Sequence, residues 1–166
     1  GMRVVVGDIQ PDAIDSTVAA LRASGIEATG VQCDVTDADS MAALADAAEA
    51  AYGEIDLVCL NAGVGGGGLS WECPVETWDW VLAVNMWGVI HGVRSFVPRV
   101  MTRPDTHVVI TASIAGIVAG PFMGPYNASK HAAVALAETL HHELAITGSP
   151  TKVSGVCPAW GDTAIG

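Results

Sequence analysis

Apolar positions along this chain keep two spacings that alternate from one end to the other. Short apolar runs at 3–8, 27–33, 55–60, 107–113 and 152–157, most of them rich in β-branched residues, read as strands. The segments between them repeat apolar residues at helical intervals. Residues 11–24 carry Ile14, Val18 and Leu21 and stop at Gly25, a residue that ends helices without steric cost. Thr36 is the expected cap of a second helix reaching Tyr52 and Gly53, with Asp39 in a capping-box-like place. A long helical stretch covers about 75–101, with a bend expected at Pro98, and another covers 126–146. Strands separated by helices of this length define βαβ units. They imply a parallel sheet and a doubly wound, Rossmann-like α/β fold, one domain over residues 1–166.

Such sheets bind ligands at the carboxyl ends of their strands. Asp8, Asp34, Asn61-Ala62-Gly63, Ser113 and Pro158 all fall at those ends. Ser113 closes a strand, and Tyr126 and Lys130 open a helix four residues apart, so phenol and ammonium share one face. A free tyrosine has a pKa of about 10, too high for proton exchange at neutral pH. A neighbouring ammonium favours the phenolate and lowers that value. A serine hydroxyl can hold a carbonyl or alcohol oxygen beside them. The trio suits moving a proton on or off an oxygen while its carbon reacts.

Taken in order, Asp8, Asp34-Val35, Asn61-Ala62-Gly63, Asn85, Ser113, Tyr126-x-x-x-Lys130 and Pro158 resemble the short-chain dehydrogenase/reductase family. The resemblance spans nearly the whole chain. The Tyr–Lys spacing alone is weakly specific; the ordered set is strongly so. The resemblance implies hydride transfer between a nicotinamide dinucleotide and the carbinol carbon of a small-molecule alcohol or ketone. It implies Tyr126 as general acid/base, Lys130 as the group that tunes it and binds the nicotinamide ribose, Ser113 on the substrate oxygen, and Asn85 holding a relay water. Asp34 and Val35 would border the adenine, and Asn61, Ala62 and Gly63 would lie on the adenosine side. Pro158, Ala159 and Trp160 would face the nicotinamide, with Thr163 at its amide or the pyrophosphate. Ala159 stands where the family usually has glycine. Asp8, with Ile9 beside it, would take the adenine-ribose hydroxyls, and its charge would repel a 2′-phosphate. NAD is therefore expected over NADP. An NADPH-dependent 3-oxoacyl reductase of the same family is the alternative. A non-catalytic dinucleotide-binding or oligomer-forming protein is the alternative from another class, though it would need neither Ser113 nor Tyr126.

The family also has a strand and a glycine-rich phosphate turn ahead of the place of Arg3, and a helical substrate lobe with a last strand beyond Gly166. The 166 residues are thus expected to be part of a longer protein, with a truncated product beginning at Met2 as the other reading. Over these residues the sheet is expected to be incomplete, with strands 3–8 and 55–60 facing a gap. Gly63-Val64-Gly65-Gly66-Gly67-Gly68 fits G-x-G-x-x-G literally. The next helix begins only near Pro74, however, and no acidic residue ends a strand at the required distance. It reads as a flexible loop with a chance run of glycines.

Composition narrows the partners. The chain is 51% hydrophobic and 15% charged, which fits a packed globular domain rather than disorder. A net charge of -11 with no basic cluster excludes nucleic-acid binding. No apolar run reaches membrane-spanning length, and Cys33, Cys59, Cys73 and Cys157 are scattered as reduced thiols would be, so a cytoplasmic location is expected. His91, His107, His131, His141 and His142 lack ligand spacing, and no metal is expected. Trp71, Trp78, Trp80 and Trp87 suggest core or subunit packing. Resemblance to the family implies a homodimer or homotetramer through the helices at 75–101 and 126–146, the latter offering Ala132, Ala133, Ala135 and Ala137. The substrate pocket is expected between loops 65–71 and 114–125, where Ile117, Val118, Phe122 and Met123 suggest an apolar substrate body.

Overall fold

The computed structural model describes residues 1–159. Its strands are β1 (Val4–Asp8), β2 (Ala28–Gln32), β3 (Leu57–Leu60), β4 (His107–Thr111) and β5 (Lys152–Val156). Between them run α1 (Pro11–Ala23), α2 (Ala38–Tyr52), α3 (Val75–Leu82), α4 (Gly88–Val100) and α5 (Gly124–Ile146). Every ladder is parallel: β1 pairs with β2, and β4 lies between β3 and β5. Parallel strands joined by helices bring all carboxyl ends to one edge, the Rossmann-like arrangement that the alternating pattern implied.

The two ladders do not join. β1 and β3 each keep one edge without a strand partner among the described residues. Helix packing spans the interval instead. α2 follows β2 but sends Met41 and Ala45 into the core that holds Val58, Leu60, Val97, Val100 and Ile110. Leu44 fills the space over Gly7, where a Cβ would lie 2.6 Å from Leu44 Cδ2. Arg99 of α4 reaches back to Asp46 and Glu49 of α2.

Local chemistry explains the element ends, and moves some of them. Gly25 takes φ +79° and donates its N–H to Arg22 C=O at 2.9 Å, closing α1 as expected. The cap of α2 is Asp37, whose carboxylate accepts from Asp39 N, and not Thr36. Thr36 is instead turned onto Asp34 Oδ1 by its N–H at 2.9 Å and its hydroxyl at 2.7 Å. α5 begins at Gly124, ahead of Tyr126, because Pro125 in the first turn has no N–H to satisfy. The long helix is interrupted at Ala83–Trp87 by a π-helical turn, while Pro98 sits within α4. Ala133 and Ala137 are buried in this chain's own core, so they are not a free surface for a second subunit.

Candidate active site

Burial singles out one cation. The Lys130 ammonium stem, on the second turn of α5, is 3% exposed. Its Nζ donates to Thr111 C=O at 3.1 Å, the last residue of β4, and lies 5.7 Å from the centroid of the Tyr126 ring. The ion pairs among the described residues belong to Arg99 and Arg103, and none is made by Lys130. Burial holds its pKa below the ordinary lysine value. Ser113, two residues beyond Thr111, is buried, and its Oγ accepts from Ala115 N at 3.2 Å. That bond caps the 3₁₀ turn Ile114–Gly116, which seats against α5 so closely that a Cβ on Gly116 would lie 2.5 Å from Lys130 C=O. Strand end, 3₁₀ turn and helix start thus bring Ser113, Tyr126 and Lys130 to one region.

Asn85 is completely buried, on the π turn. A π turn shifts the helical register by one residue, so a side chain can point where an unbroken α-helix would not send it. Asn85 Oδ1 accepts from Val64 N at 2.8 Å, while Nδ2 donates to Val64 C=O at 3.0 Å and to Ser129 Oγ at 3.0 Å. Ser129 Oγ in turn donates to Tyr126 C=O at 2.8 Å. Gly63 closes the group: a Cβ there would lie 3.2 Å from Lys130 Nζ and 3.5 Å from Asn85 Oδ1. The loop after β3 therefore approaches the ammonium so closely that a side chain at Gly63 would press on it.

Of the remaining expected residues, those described lie along the same strand edge, most of them without a hydrogen bond to this cluster. Asp8 ends β1 half-buried, its Oδ1 accepting from Gln10 N at 2.9 Å, and Ile9 beside it is exposed. Asp34 serves its own turn, as described. Val35 packs on Gly88 and lends its C=O to His91 Nδ1 at 3.0 Å, which gives that histidine a structural role. Asn61, Ala62 and Ala159 are exposed; so is Pro158, whose C=O accepts from Ile114 N at 2.9 Å and ties the end of β5 to the 3₁₀ turn. Trp160 and Thr163 lie outside the described residues.

Four participants escaped the sequence reading. Thr111 and Val64 act through backbone groups, which no side chain advertises. Ser129 and Asn127 sit inside the Tyr–Lys segment as buried polar residues, the one signal that could have found them. Asn127 Nδ2 donates to Gly120 C=O at 2.7 Å and clamps the segment leading into α5. The glycine run is no phosphate turn, since the next helix begins at Val75. Nor is it a chance run in a flexible loop. A Cβ on Gly66 would meet Val81 at 2.7 Å, and one on Gly67 would meet Phe122 C=O at 2.0 Å.

Fold and strand-edge cluster together define a Rossmann-like α/β protein with its candidate site at the carboxyl edge of a parallel sheet. The chain belongs to the short-chain dehydrogenase family, whose family model matches residues 1–166. It is 42% identical to 1-deoxy-11-beta-hydroxypentalenate dehydrogenase of Streptomyces avermitilis over 169 residues, covering 99% of this chain and 62% of that protein. A short-chain dehydrogenase/reductase from Burkholderia phymatum, solved in complex with NAD, is 47% identical with a TM-score of 0.94, covering 96% of this chain and 57% of the other. An actinorhodin polyketide ketoreductase solved with NADPH is 32% identical with a TM-score of 0.91, covering 99% and 63%. The chain thus spans about three fifths of the length of the relatives it matches.

Proposed function

We propose that this chain carries the proton-transfer half of an oxidoreductase interconverting a secondary alcohol and a ketone, with Tyr126 as general acid/base. The observation that carries the reading is the buried Lys130 ammonium, held by a strand-end carbonyl and facing the Tyr126 ring, with no carboxylate paired to it among the described residues. Such a charge is costly to bury, and its field acts on the nearest polarisable groups. With this cation beside its ring, the Tyr126 hydroxyl is the group that takes a proton from the alcohol or returns one to the ketone. Ser113 holds the substrate oxygen. Asn85 has both Nδ2 hydrogens engaged, so a relay water would bond to the second lone pair of Oδ1.

A nicotinamide dinucleotide, when bound, supplies or accepts the hydride. The carboxyl edge suits it: Asp8 would take the adenine-ribose hydroxyls with Ile9 alongside, Asp34 and Val35 would flank the adenine, and Asn61 to Gly63 would support the adenosine. Lys130 would reach the nicotinamide ribose, and Pro158, Ala159, Trp160 and Thr163 would lie toward the nicotinamide end. The negative charge of Asp8 favours NAD. A relative is solved with NADPH, so titration of both cofactors against Asp8→Ser measures the preference. Trp80 and Trp87, each about half exposed along α3 and the π turn, support a homodimer or homotetramer, which light scattering would count. Among the described residues no helix is long and apolar enough to cross a membrane.

The deciding experiment is Tyr126→Phe in the full-length protein. Turnover should fall at least a thousandfold, on the order of the general acid/base contribution, while NADH still quenches tryptophan fluorescence. Turnover unchanged in Tyr126→Phe would sink the assignment.

A further inference from the structure

Two described residues other than glycine hold left-handed backbone, Asp105 and Phe122. Aspartate tolerates that region; a bulky aromatic does not, and stays there only when its surroundings force it. At Phe122, with φ 62°, the surroundings are explicit. Its C=O accepts from Gly68 N at 2.8 Å and presses onto Gly67, where any side chain would collide. The next residue, Met123, pairs with Gly68 in a parallel bridge and caps α5 by accepting from Asn127 N at 2.7 Å. Gly124 follows, with Ser70 Oγ 2.9 Å from the place its Cβ would take. The backbone is held on every side, yet Phe122 is 62% exposed among the described residues and adds little to their core.

No contact among the described residues accounts for phenylalanine at this strained position. Glycine would hold the same backbone without strain. The ring stands four residues before Tyr126, on the segment that Ser113 opens. Residues 114–125 carry no charged and no hydrogen-bonding side chain, and Ile117 and Val118 are more than half exposed there. The segment that links Ser113 to Tyr126 is thus uniformly apolar, with Phe122 its largest side chain.

We propose that Phe122 is a specificity-determining residue, its ring packing on the apolar body of a bulky secondary alcohol or ketone whose oxygen lies at Ser113 and Tyr126. The inference rests on the oxidoreductase reading above. Its test separates the two. Binding of 1-decalone, a bicyclic apolar ketone, is measured by calorimetry on the full-length, NADH-saturated Tyr126→Phe protein, with and without Phe122→Ala or Phe122→Gly. Both second substitutions should weaken decalone about tenfold, the loss expected from uncovering much of one aromatic ring. Phe122→Gly should at the same time raise the melting temperature, because it relieves the backbone. Unchanged decalone affinity in both variants, no decalone binding by the parent, or a fall in melting temperature that tracks the lost affinity would each overturn the proposal. Full turnover in Tyr126→Phe would overturn the oxidoreductase reading alone, leaving the decalone comparison standing.

Discussion

Around β4, side chains from β3, β5, α2, α4 and α5 close a core in which Val108 and Ile110 are completely buried. Among the described residues the β1–β2 pair is covered far more thinly, with Ile14, Val18 and Ala28 buried and Val4, Val6 and Leu21 packed beside them. The residues proposed to handle the proton stand on the dense half, and those proposed to face the adenosine end of the cofactor include Asp8 and Ile9 on the thin half. The two tasks tolerate different amounts of freedom. Proton transfer fails when its groups stray by a fraction of an ångström, so they belong where neighbours leave no room to move. Holding a polar ligand through a carboxylate tolerates more freedom, and the ligand itself stabilises whatever it binds.

The sharpest way to break this contrast is a matched pair of core truncations. Ile110→Ala should cost about 4 kcal/mol and Ile14→Ala about 2 kcal/mol, since the first leaves a cavity on all sides and the second opens toward solvent. Urea unfolding of the full-length protein would check it, and equal losses would show that the halves are equally well supported. Asn85→Ala should cost about 3 kcal/mol, because Val64 N–H and C=O lose their buried partners. Amide exchange at Val64 should quicken markedly in that variant, and slow exchange there would show the loop is held by something else. The smallest effect concerns Lys130. Its folded pKa is lowered by burial from 10.5, so the native state binds fewer protons than the unfolded chain below that value. Stability should therefore rise as pH climbs toward 10.5, and fall back as pH drops through the lowered value. Subtracting the urea–pH profile of Lys130→Met isolates this rise, and a flat difference would mean that the ammonium is better solvated than its burial implies.

Much of the fold was legible because it rests on local periodicity. The apolar runs and helical spacings found all five strands and the helices, with ends displaced by a few residues at Thr36 and Tyr126. What escaped was non-local. The π turn at Asn85 changes register without changing the apolar pattern, so the stretch 75–101 reads as one helix with its weak point at Pro98. The close fit of Gly66 and Gly67 depends on Val81 and Phe122, residues remote in sequence. In the candidate site, Ser113, Tyr126, Lys130 and Asn85 stood out by residue type and order, whereas Thr111 and Val64 contribute only carbonyl and amide groups that every residue owns. Ala133 and Ala137 show the converse error: small residues at helical spacing suit a subunit interface and a protein's own core equally well.

The bridge between Gly68 and Met123 carries a consequence for anyone reshaping this protein. The loop after β3 and the segment leading into α5 share one peptide-to-peptide seam, so neither can drift or be rebuilt alone. A graft that replaced residues 65–71 but kept Phe122 would set a new backbone against an old carbonyl, and even Gly67→Ala would push the far segment aside. Substitutions on the two sides should therefore be strongly non-additive. Altered selectivity is best sought by exchanging both stretches together, as one transferable cassette.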